Sequence, residues 1–306
     1  MTLDGLQRQF ASHLSARGFR EVMTPSLVNG QRVVDLGGSS ANELIRMKNP
    51  LSAELDTLRP SMLFGMLQAA AHNIARQQRD LRFFEKGRVY TASGSTARER
   101  DRTAMLITGA RNQEGWRGNT GAAAMPDLKA EVELLLERLH VPDPETSPSS
   151  HPLFSNFIEV RSKNTLFAGY GIVHPAVLKA FDIAQPVFFA ELHDAAWFSD
   201  LAGRKVEYAE VPRFPAVRRD LSLLLDGSIT FAQLERAARR TERKILRDVD
   251  LFDVYEGDKL PAGKKSYALR FTLQDVARTL TDEQVERTMA RIRKVFEDEL
   301  GAQLRA

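Results

Sequence analysis

Asp253 and Tyr255 have residue types and a spacing that could recognise a nucleic-acid base. They alternate with Val254 along a predicted strand, so both side chains should point to the face opposite Val254. An exposed tyrosine ring offers a stacking surface to a single-stranded RNA base, and the carboxylate accepts hydrogen bonds from donors on the base edge. The pattern is also that of an ordinary strand tyrosine, and the residues alone leave both interpretations open.

A cluster of basic residues precedes this strand. Four of them are predicted to follow one another at i, i+4, i+8 and i+11 on one polar helix face: Arg236, Arg240, Lys244 and Arg247. Arg239 and Arg243 lie beside them. Guanidinium groups suit phosphate, so the cluster is a candidate phosphate-contacting surface, and a solvated helix face is the other interpretation. Lys265, beside a predicted hairpin turn, is a further candidate phosphate contact.

Other signals of catalysis or metal binding are weak. The six histidines include no pair at the i, i+4 spacing that places two imidazoles on one helix face, and the sequence has no G-x-S-x-G motif. The segment GDKLPAGKKS (257–266) departs from a phosphate loop, because five residues separate its glycines and a strand is predicted to follow. Gly169 and Gly171 lack the third glycine of a dinucleotide fingerprint. We therefore predict no catalytic residue and no metal site.

Length and composition set the scale for the elements that position these residues. The 306 residues, 43% of them hydrophobic, are enough for about two domains with sizeable cores. The absence of cysteine excludes disulfides and thiolate metal sites and favours a reducing cytoplasm. No apolar run is long enough to cross a membrane. The net charge of +3 is too small to indicate an RNA partner unless the charge is clustered.

The first two thirds of the chain predict an α+β domain built on an antiparallel sheet, because the strands are too irregularly spaced for a βαβ repeat. Periodicity predicts helices at 3–18, 61–77 and 127–139, and strands at 82–90, 103–109, 157–162, 166–173 and 187–192. Residues 91–101 are predicted to be a polar link and 142–152 a loop.

The last hundred residues are easier to interpret. Strands are predicted at 221–226, 249–255, 266–273 and 302–305, with helices beginning at Thr230 and Thr281. The order β-α-β-β-α-β is that of a ferredoxin-like fold. The domain boundary should fall between Gly203 and Pro212, giving domains 1–205 and 206–306.

Several motifs in these two regions resemble one known family. Four ordered segments of the second region resemble the ferredoxin-fold anticodon-binding domain that ends the β subunit of bacterial phenylalanyl-tRNA synthetase: RFPAVRRDL (213–221), LFDVYEG (251–257), GKKS (263–266) and RTLTD (278–282). The first region resembles the catalytic-like module of the same subunit in GFREVMT (18–24), NPLS (49–52), LRPSM (58–62), FEKG (84–87) and DLK (127–129).

The resemblance implies a role within an α2β2 enzyme that joins phenylalanine to its tRNA with ATP and magnesium. It implies partners, the α subunit and tRNA(Phe), and a class II synthetase fold without an active site in the first domain. The sequence agrees, because Thr91-Ala92-Ser93 stands where a catalytic class II subunit continues with an arginine and an acid that grip ATP. We therefore expect the chain alone to be inactive and to bind no cofactor itself.

The family's anticodon contacts fall on Asp253, Tyr255 and Ser266, with Tyr255 expected to stack on the first anticodon base. The resemblance gives the arginine cluster no such support. Because the family's β subunit is far longer, the sequence is expected to be a fragment of one. Two other readings remain open, an autonomous class II-like ATP-dependent ligase and a purely structural interaction module.

Overall fold

The computed structural model describes residues 2–50, 52–94, 96–112, 116, 121–139, 141, 144–202, 208, 211–258 and 260–305. Contacts between Cα positions divide the chain into two units, Met1–Lys205 and Val206–Ala306. Apart from Tyr208, the residues from 203 to 210, where the sequence predicts the domain boundary, lie outside the described residues.

The first unit is built around a seven-stranded sheet. The strands of the whole first unit are β1 (Arg20–Glu21), β2 (Leu27–Val28), β3 (Ile45–Arg46), β4 (Thr57–Leu58), β5 (Leu81–Ser93), β6 (Thr96–Thr108), β7 (Glu145–Ser149), β8 (Phe154–Ser162), β9 (Thr165–Val173) and β10 (Val187–His193). Its helices are α1 (Leu3–Ala16), α2 (Gly30–Asp35), α3 (Leu63–Ile74), α4 (Met125–Arg138), α5 (Pro175–Lys179) and α6 (Asp194–Ala202). The large sheet runs β1-β5-β6-β10-β9-β8-β7, with only the β1–β5 pair parallel, and β2-β4-β3 form a small sheet.

Both faces of the large sheet are buried. Phe83 pairs with Leu106 and belongs to the apolar cluster that includes α3, whereas Phe84 pairs with Met105 and belongs to the cluster that includes α1 and α4. Successive strand residues point to opposite faces, so two covered faces require continuous apolar runs rather than alternation. This explains why the strands of this unit show little period-two patterning in the sequence.

The polar segment 91–101 is part of a long hairpin, so the predicted link is wrong. β5 and β6 pair without interruption from Leu81–Thr108 to Ser93–Thr96. Arg88 forms ion pairs with Glu99 and Asp101 across the ribbon. The hairpin turn passes through Gly94, whose φ of +61° favours glycine. Residues 91–101 are mostly polar because this part of the hairpin is largely exposed. Their polar composition is also typical of a link between strands, which explains the wrong prediction.

The predicted loop at 142–152 also contains structure. Residues 145–149 form the edge strand β7, which pairs antiparallel with β8, while 142 and 143 lie outside the described residues. A short, exposed edge strand containing Pro148 has few of the β-branched residues on which strand prediction depends.

Helix α6 is absent from the sequence predictions and is held by a buried tryptophan. Trp197 donates its Nε1–H to the carbonyl oxygen of Phe167 at 2.7 Å. Its ring meets those of Phe10 and Phe167 edge-on, with centroids 5.3 and 5.5 Å away. The helix begins at Asp194, directly after β10 ends at His193, so no turn residues mark the change of period.

Burial of Asp194 gives the first unit a pH-dependent stability. Burial raises the pKa of this carboxyl to about 6 from an ordinary 3.8, although Gln7 and Thr103 donate hydrogen bonds to Oδ2 and Arg102 lies near it. The folded unit thus favours the protonated acid, whose stabilising contribution is complete below about pH 4 and is lost as the pH rises through 6.

We therefore expect the urea midpoint of the first unit to contain a component that falls between pH 4 and 6, and Asp194→Asn to remove that component. Both tryptophans, Trp116 and Trp197, belong to this unit, so tryptophan fluorescence reports its unfolding selectively. The same pH dependence in the wild-type chain and the variant would contradict the assignment.

The second unit has the predicted β-α-β-β-α-β order. Its elements are β11 (Val217–Asp226), α7 (Phe231–Thr241), β12 (Leu246–Tyr255), β13 (Lys264–Leu273), α8 (Asp282–Leu300) and β14 (Gln303–Leu304). The sheet is antiparallel and runs β12-β13-β11-β14, the strand arrangement of a ferredoxin-like fold.

The two helices cover one face of this sheet and leave the other open. Alternate residues of β11 and β13 point into a core shared with α7 and α8: Leu221, Leu223, Leu225, Tyr267, Leu269, Phe271 and Leu273. The residues between them, such as Ser222, Ala268 and Arg270, therefore lie on the open face. This open face is the surface available to a ligand.

Candidate nucleic-acid interface

The end of β12 brings three of the predicted site residues together on the open face. Asp253 pairs with Ala268, and Tyr255 pairs with Ser266. Residues that pair directly in an antiparallel sheet point to the same side, and Ala268 lies on the open face. Asp253, Tyr255 and Ser266 therefore share that face. Ser266 lies directly across from Tyr255, and Asp253 lies two residues before Tyr255 on the same strand.

A β-bulge determines the direction of these side chains. The pairing of β12 with β13 shifts by one residue between Leu251 and Asp253, which makes Phe252 an extra residue on β12. Leu251 packs against the core of the unit. Strict alternation from Leu251 would turn residues 253 and 255 toward the helices, and the extra residue reverses that direction. The bulge thus converts two core positions into surface positions.

The bulge residue is itself fixed by its neighbours. The guanidinium of Arg270 lies over the Phe252 ring, 4.7 Å from its centroid. Arg270 donates two hydrogen bonds to Asp220, at 3.0 and 2.9 Å, and these bonds hold the pKa of that carboxyl below its usual range. The exposed Phe252 ring therefore lies against Arg270.

The half-buried Tyr255 ring lies between a glycine turn and an arginine. A Cβ atom at Gly257 would meet the tyrosine hydroxyl oxygen at 2.9 Å, so the glycine leaves room for the ring in its present position. The guanidinium carbon of Arg305 lies 5.7 Å from the ring centroid. Sequence reasoning missed both neighbours, although a glycine just after an aromatic strand end is a signal of close backbone approach.

The other two predicted contacts differ in exposure. Asp253 is exposed, so its carboxylate can accept hydrogen bonds from a base edge. Ser266 is only 7% exposed and lies between Tyr255 and Leu224 of the flanking strands. The open contact surface is therefore formed by Tyr255 and Asp253, with Ser266 beneath it.

The predicted basic helix face is wrong, because α7 ends at Thr241. The carboxylate of Glu242 accepts the backbone N–H of Lys244 at 2.9 Å and of Ile245 at 3.3 Å, which holds these residues in a turn. Arg247 lies on β12. Helical periodicity could not reveal this ending, which depends on side chain to backbone hydrogen bonds.

The candidate phosphate contacts are accordingly dispersed. Arg236 is exposed on α7 and donates to the carbonyl of Ala232 in its own helix, and Arg240 forms an ion pair with Glu299 of α8. Lys265 is 7% exposed, and its Nζ lies 4.7 Å from the centroid of the Tyr267 ring on the helix-covered side. The ammonium of Lys265 is thus not presented to a phosphate.

The basic turn and the tyrosine site lie at opposite ends of β12. The strand runs from Leu246, just after Lys244, to Tyr255. At a rise of about 3.3 Å per residue, its length is roughly 30 Å. A ligand that contacts both ends must therefore extend along the unit.

The residues that the structure describes contain no group of three or more His, Cys, Asp or Glu side chains arranged to hold a metal ion. Among the same residues, no helix is both long and apolar enough to cross a membrane.

Comparison with known proteins identifies both regions. Residues 3–193 match the family described as "Phenylalanyl tRNA synthetase beta chain CLM domain", and residues 212–305 match the "Ferredoxin-fold anticodon binding domain". The pyrrolysyl-tRNA synthetase of Desulfitobacterium hafniense superposes with a TM-score of 0.52 at 14% identity, covering 66% of this chain and 70% of that one. That likeness concerns the fold alone and, with the ferredoxin-fold match, confirms the predicted fold class.

Curated relatives are similar over almost the whole chain. The phenylalanine–tRNA ligase β subunits of Porphyromonas gingivalis and Bacteroides thetaiotaomicron are 38% and 37% identical over 98% of it, and that of Chromobacterium violaceum is 34% identical over 95%. The chain spans 38%, 38% and 36% of these relatives' lengths. The predicted resemblance is thereby confirmed, and the chain belongs to the phenylalanyl-tRNA synthetase β chain family.

Proposed function

We propose that the second unit of this chain reads the anticodon of tRNA(Phe), and that the first unit supports the catalytic α subunit of phenylalanine–tRNA ligase. The observation that carries the proposal is the bulge at Phe252, which places Asp253 and Tyr255 side by side on an open sheet face. That face belongs to a domain matched to a ferredoxin-fold anticodon-binding family. A bulge that redirects side chains at a strand end is typical of binding sites.

In this proposal the three residues have different tasks. The Tyr255 ring stacks on the first anticodon base, which provides affinity for any base because every base has a π face. The Asp253 carboxylate accepts hydrogen bonds from base-edge donors, which discriminates among bases. Ser266, the cross-strand neighbour of Tyr255, supports the ring and offers a hydroxyl at the floor of the site.

The whole enzyme is proposed to be an α2β2 assembly in the cytoplasm that joins phenylalanine to tRNA(Phe) with ATP and magnesium. The described residues of this chain do not fit an ATP–magnesium site, since they include no suitable cluster of metal ligands. Thr91, Ala92 and Ser93 lie on β5, where they offer no charge to a triphosphate. We therefore assign ATP and magnesium to the α subunit and a scaffolding role to the first unit.

The proposal is tested by RNA binding to the 306-residue chain. An RNA stem-loop with the tRNA(Phe) anticodon should bind more tightly than the same stem-loop with all three anticodon bases replaced, by roughly 1–3 kcal/mol, because the Asp253 carboxylate selects among base edges. Fluorescence anisotropy with labelled RNA measures both dissociation constants. Equal affinities would contradict anticodon reading.

Assays on the same 306-residue chain also distinguish the proposal from the two competing interpretations. ATP–pyrophosphate exchange by the chain alone would favour an autonomous class II-like ligase. Absence of salt-dependent RNA binding, together with retention of the α subunit, would favour a purely structural module.

A further inference from the structure

A basic cleft of about 640 Å³ opens in the second unit between the turn after α7, the loop 274–280 and the first half of α8. Among the described residues, the cations that line it outnumber the carboxylates: Lys244, Arg247, Arg278, Arg287 and Arg291 against Glu242 and Asp275. Arg287 is paired with Glu283 outside the lining, and with that carboxylate included the cations still outnumber the acids, in a chain with a net charge of only +3.

The two carboxylates hold arginines in place without exhausting their donors. Glu242 forms an ion pair with Arg291, and Asp275 lies 3.6 Å from Arg278. A guanidinium has five N–H donors, and one carboxylate accepts from one or two of them. The remaining donors of these arginines are thus available to a further anion.

Lys244 occupies a turn that is fixed in advance. Its backbone N–H donates to Glu242, the same residue that pairs with Arg291. The Lys244 side chain is exposed, and its ammonium has no ion-pair partner among the residues that the structure describes. Arg247, on the next strand, donates from Nε to the carbonyl of Gln274 at 3.1 Å and ties the strand to the loop. The cation positions are therefore set by the fold.

The lining also contains apolar side chains. Ile245, Val276 and Leu280 contribute to it, and Val276 is 61% exposed. A sugar–phosphate strand presents anionic oxygens beside apolar ribose faces, so a cleft of cations and apolar side chains suits it. We propose that this cleft binds the sugar–phosphate backbone of the tRNA whose anticodon is read at Tyr255.

This inference rests on the proposed function, since it takes the bound RNA from there. The cleft adjoins the start of β12, roughly 30 Å along the strand from Tyr255, and α8, which lines it, covers the sheet face opposite the tyrosine. A bound RNA must therefore pass round the end of the sheet, so the cleft contacts it several nucleotides from the stacked base. Contacts to phosphate position an RNA without distinguishing its sequence. The unit thus separates base reading at one end of β12 from backbone anchoring at the other.

The test compares the salt dependence of RNA binding for wild type, Lys244→Ala and the double variant Lys244→Ala/Arg278→Ala. The probes are a tRNA(Phe) transcript and the same transcript with all three anticodon bases replaced. Each lost phosphate contact should reduce the slope of log Kd against log salt by about 0.7–0.9. Both transcripts should weaken by the same factor, so the preference for the native anticodon is kept.

Arg236→Ala is the matched control, because Arg236 is exposed in the same unit but lies outside the cleft. An equal loss of slope in this control would indicate diffuse charge and overturn the cleft assignment, as would an unchanged slope in both cleft variants. A reduced slope without any anticodon preference would leave the cleft standing and reject anticodon reading. An unchanged slope with preserved preference would reject the cleft alone.

Discussion

Replacing Tyr255 with alanine should weaken binding of tRNA(Phe) to the assembled enzyme by roughly 1–3 kcal/mol, an increase of about 5- to 150-fold in Kd. The substitution removes the ring on which the first anticodon base is proposed to stack. Phenylalanine adenylation should change little, since the proposal assigns that chemistry to the α subunit. Filter binding measures the Kd, and ATP–pyrophosphate exchange measures adenylation.

Tyr255→Phe provides the control for the loss of stacking. It keeps the aromatic ring between Gly257 and Arg305 and removes only the hydroxyl, so tRNA affinity should stay close to that of the wild-type enzyme. If Tyr255→Phe loses as much affinity as Tyr255→Ala, the hydroxyl rather than the ring makes the contact. Unchanged affinity in the alanine variant would reject the site.

The grouping of Asp253 and Tyr255 on one strand face could be predicted from sequence, but not the β-bulge that produces it. Local alternation around Val254 places Asp253 and Tyr255 on one face, and the family resemblance adds Ser266. Alternation from Leu251 predicts the opposite face for residues 253 and 255, and only the paired strand reveals Phe252 as an extra residue. Register is a property of two strands, which a single-strand pattern does not contain.

Helices were predicted correctly where periodicity and end signals agree, and wrongly where a side chain to backbone hydrogen bond ends the helix within its periodic pattern. Helix α8 begins after its Thr281 cap, as the sequence predicts, and ends at Gly301 with a φ of +60°. Helix α7 stops earlier than its pattern suggests, because the Glu242 carboxylate binds the amides that follow. The separation of Lys244 and Arg247 from the arginines of α7 follows from this helix end.

The first unit contains a buried ion pair that joins β5 to the residue just after β4. Arg59 and Glu85 are 3% and 2% exposed, with Nη1 and Oε1 2.8 Å apart. Glu85 also accepts hydrogen bonds from the backbone and hydroxyl of Thr24, and Arg59 donates from Nε to the carbonyl of Arg88. A Cβ atom at Gly87 would lie 2.3 Å from the guanidinium, so the glycine makes room for it. The guanidinium of Arg59 and the carboxylate of Glu85 thus each depend on the other to neutralise a buried charge.

Arg59→Met should therefore lower the free energy of unfolding of the first unit by about 3–5 kcal/mol, because it leaves the Glu85 carboxylate buried and unpaired. Urea unfolding followed by tryptophan fluorescence measures the loss, since both tryptophans lie in this unit. The double variant Arg59→Met/Glu85→Gln has no buried charge and should recover much of the lost stability. If the double variant is no more stable than Arg59→Met, the cost comes from lost packing around Gly87 instead. Arg8→Ala, which breaks an exposed pair with Asp4, should change stability little.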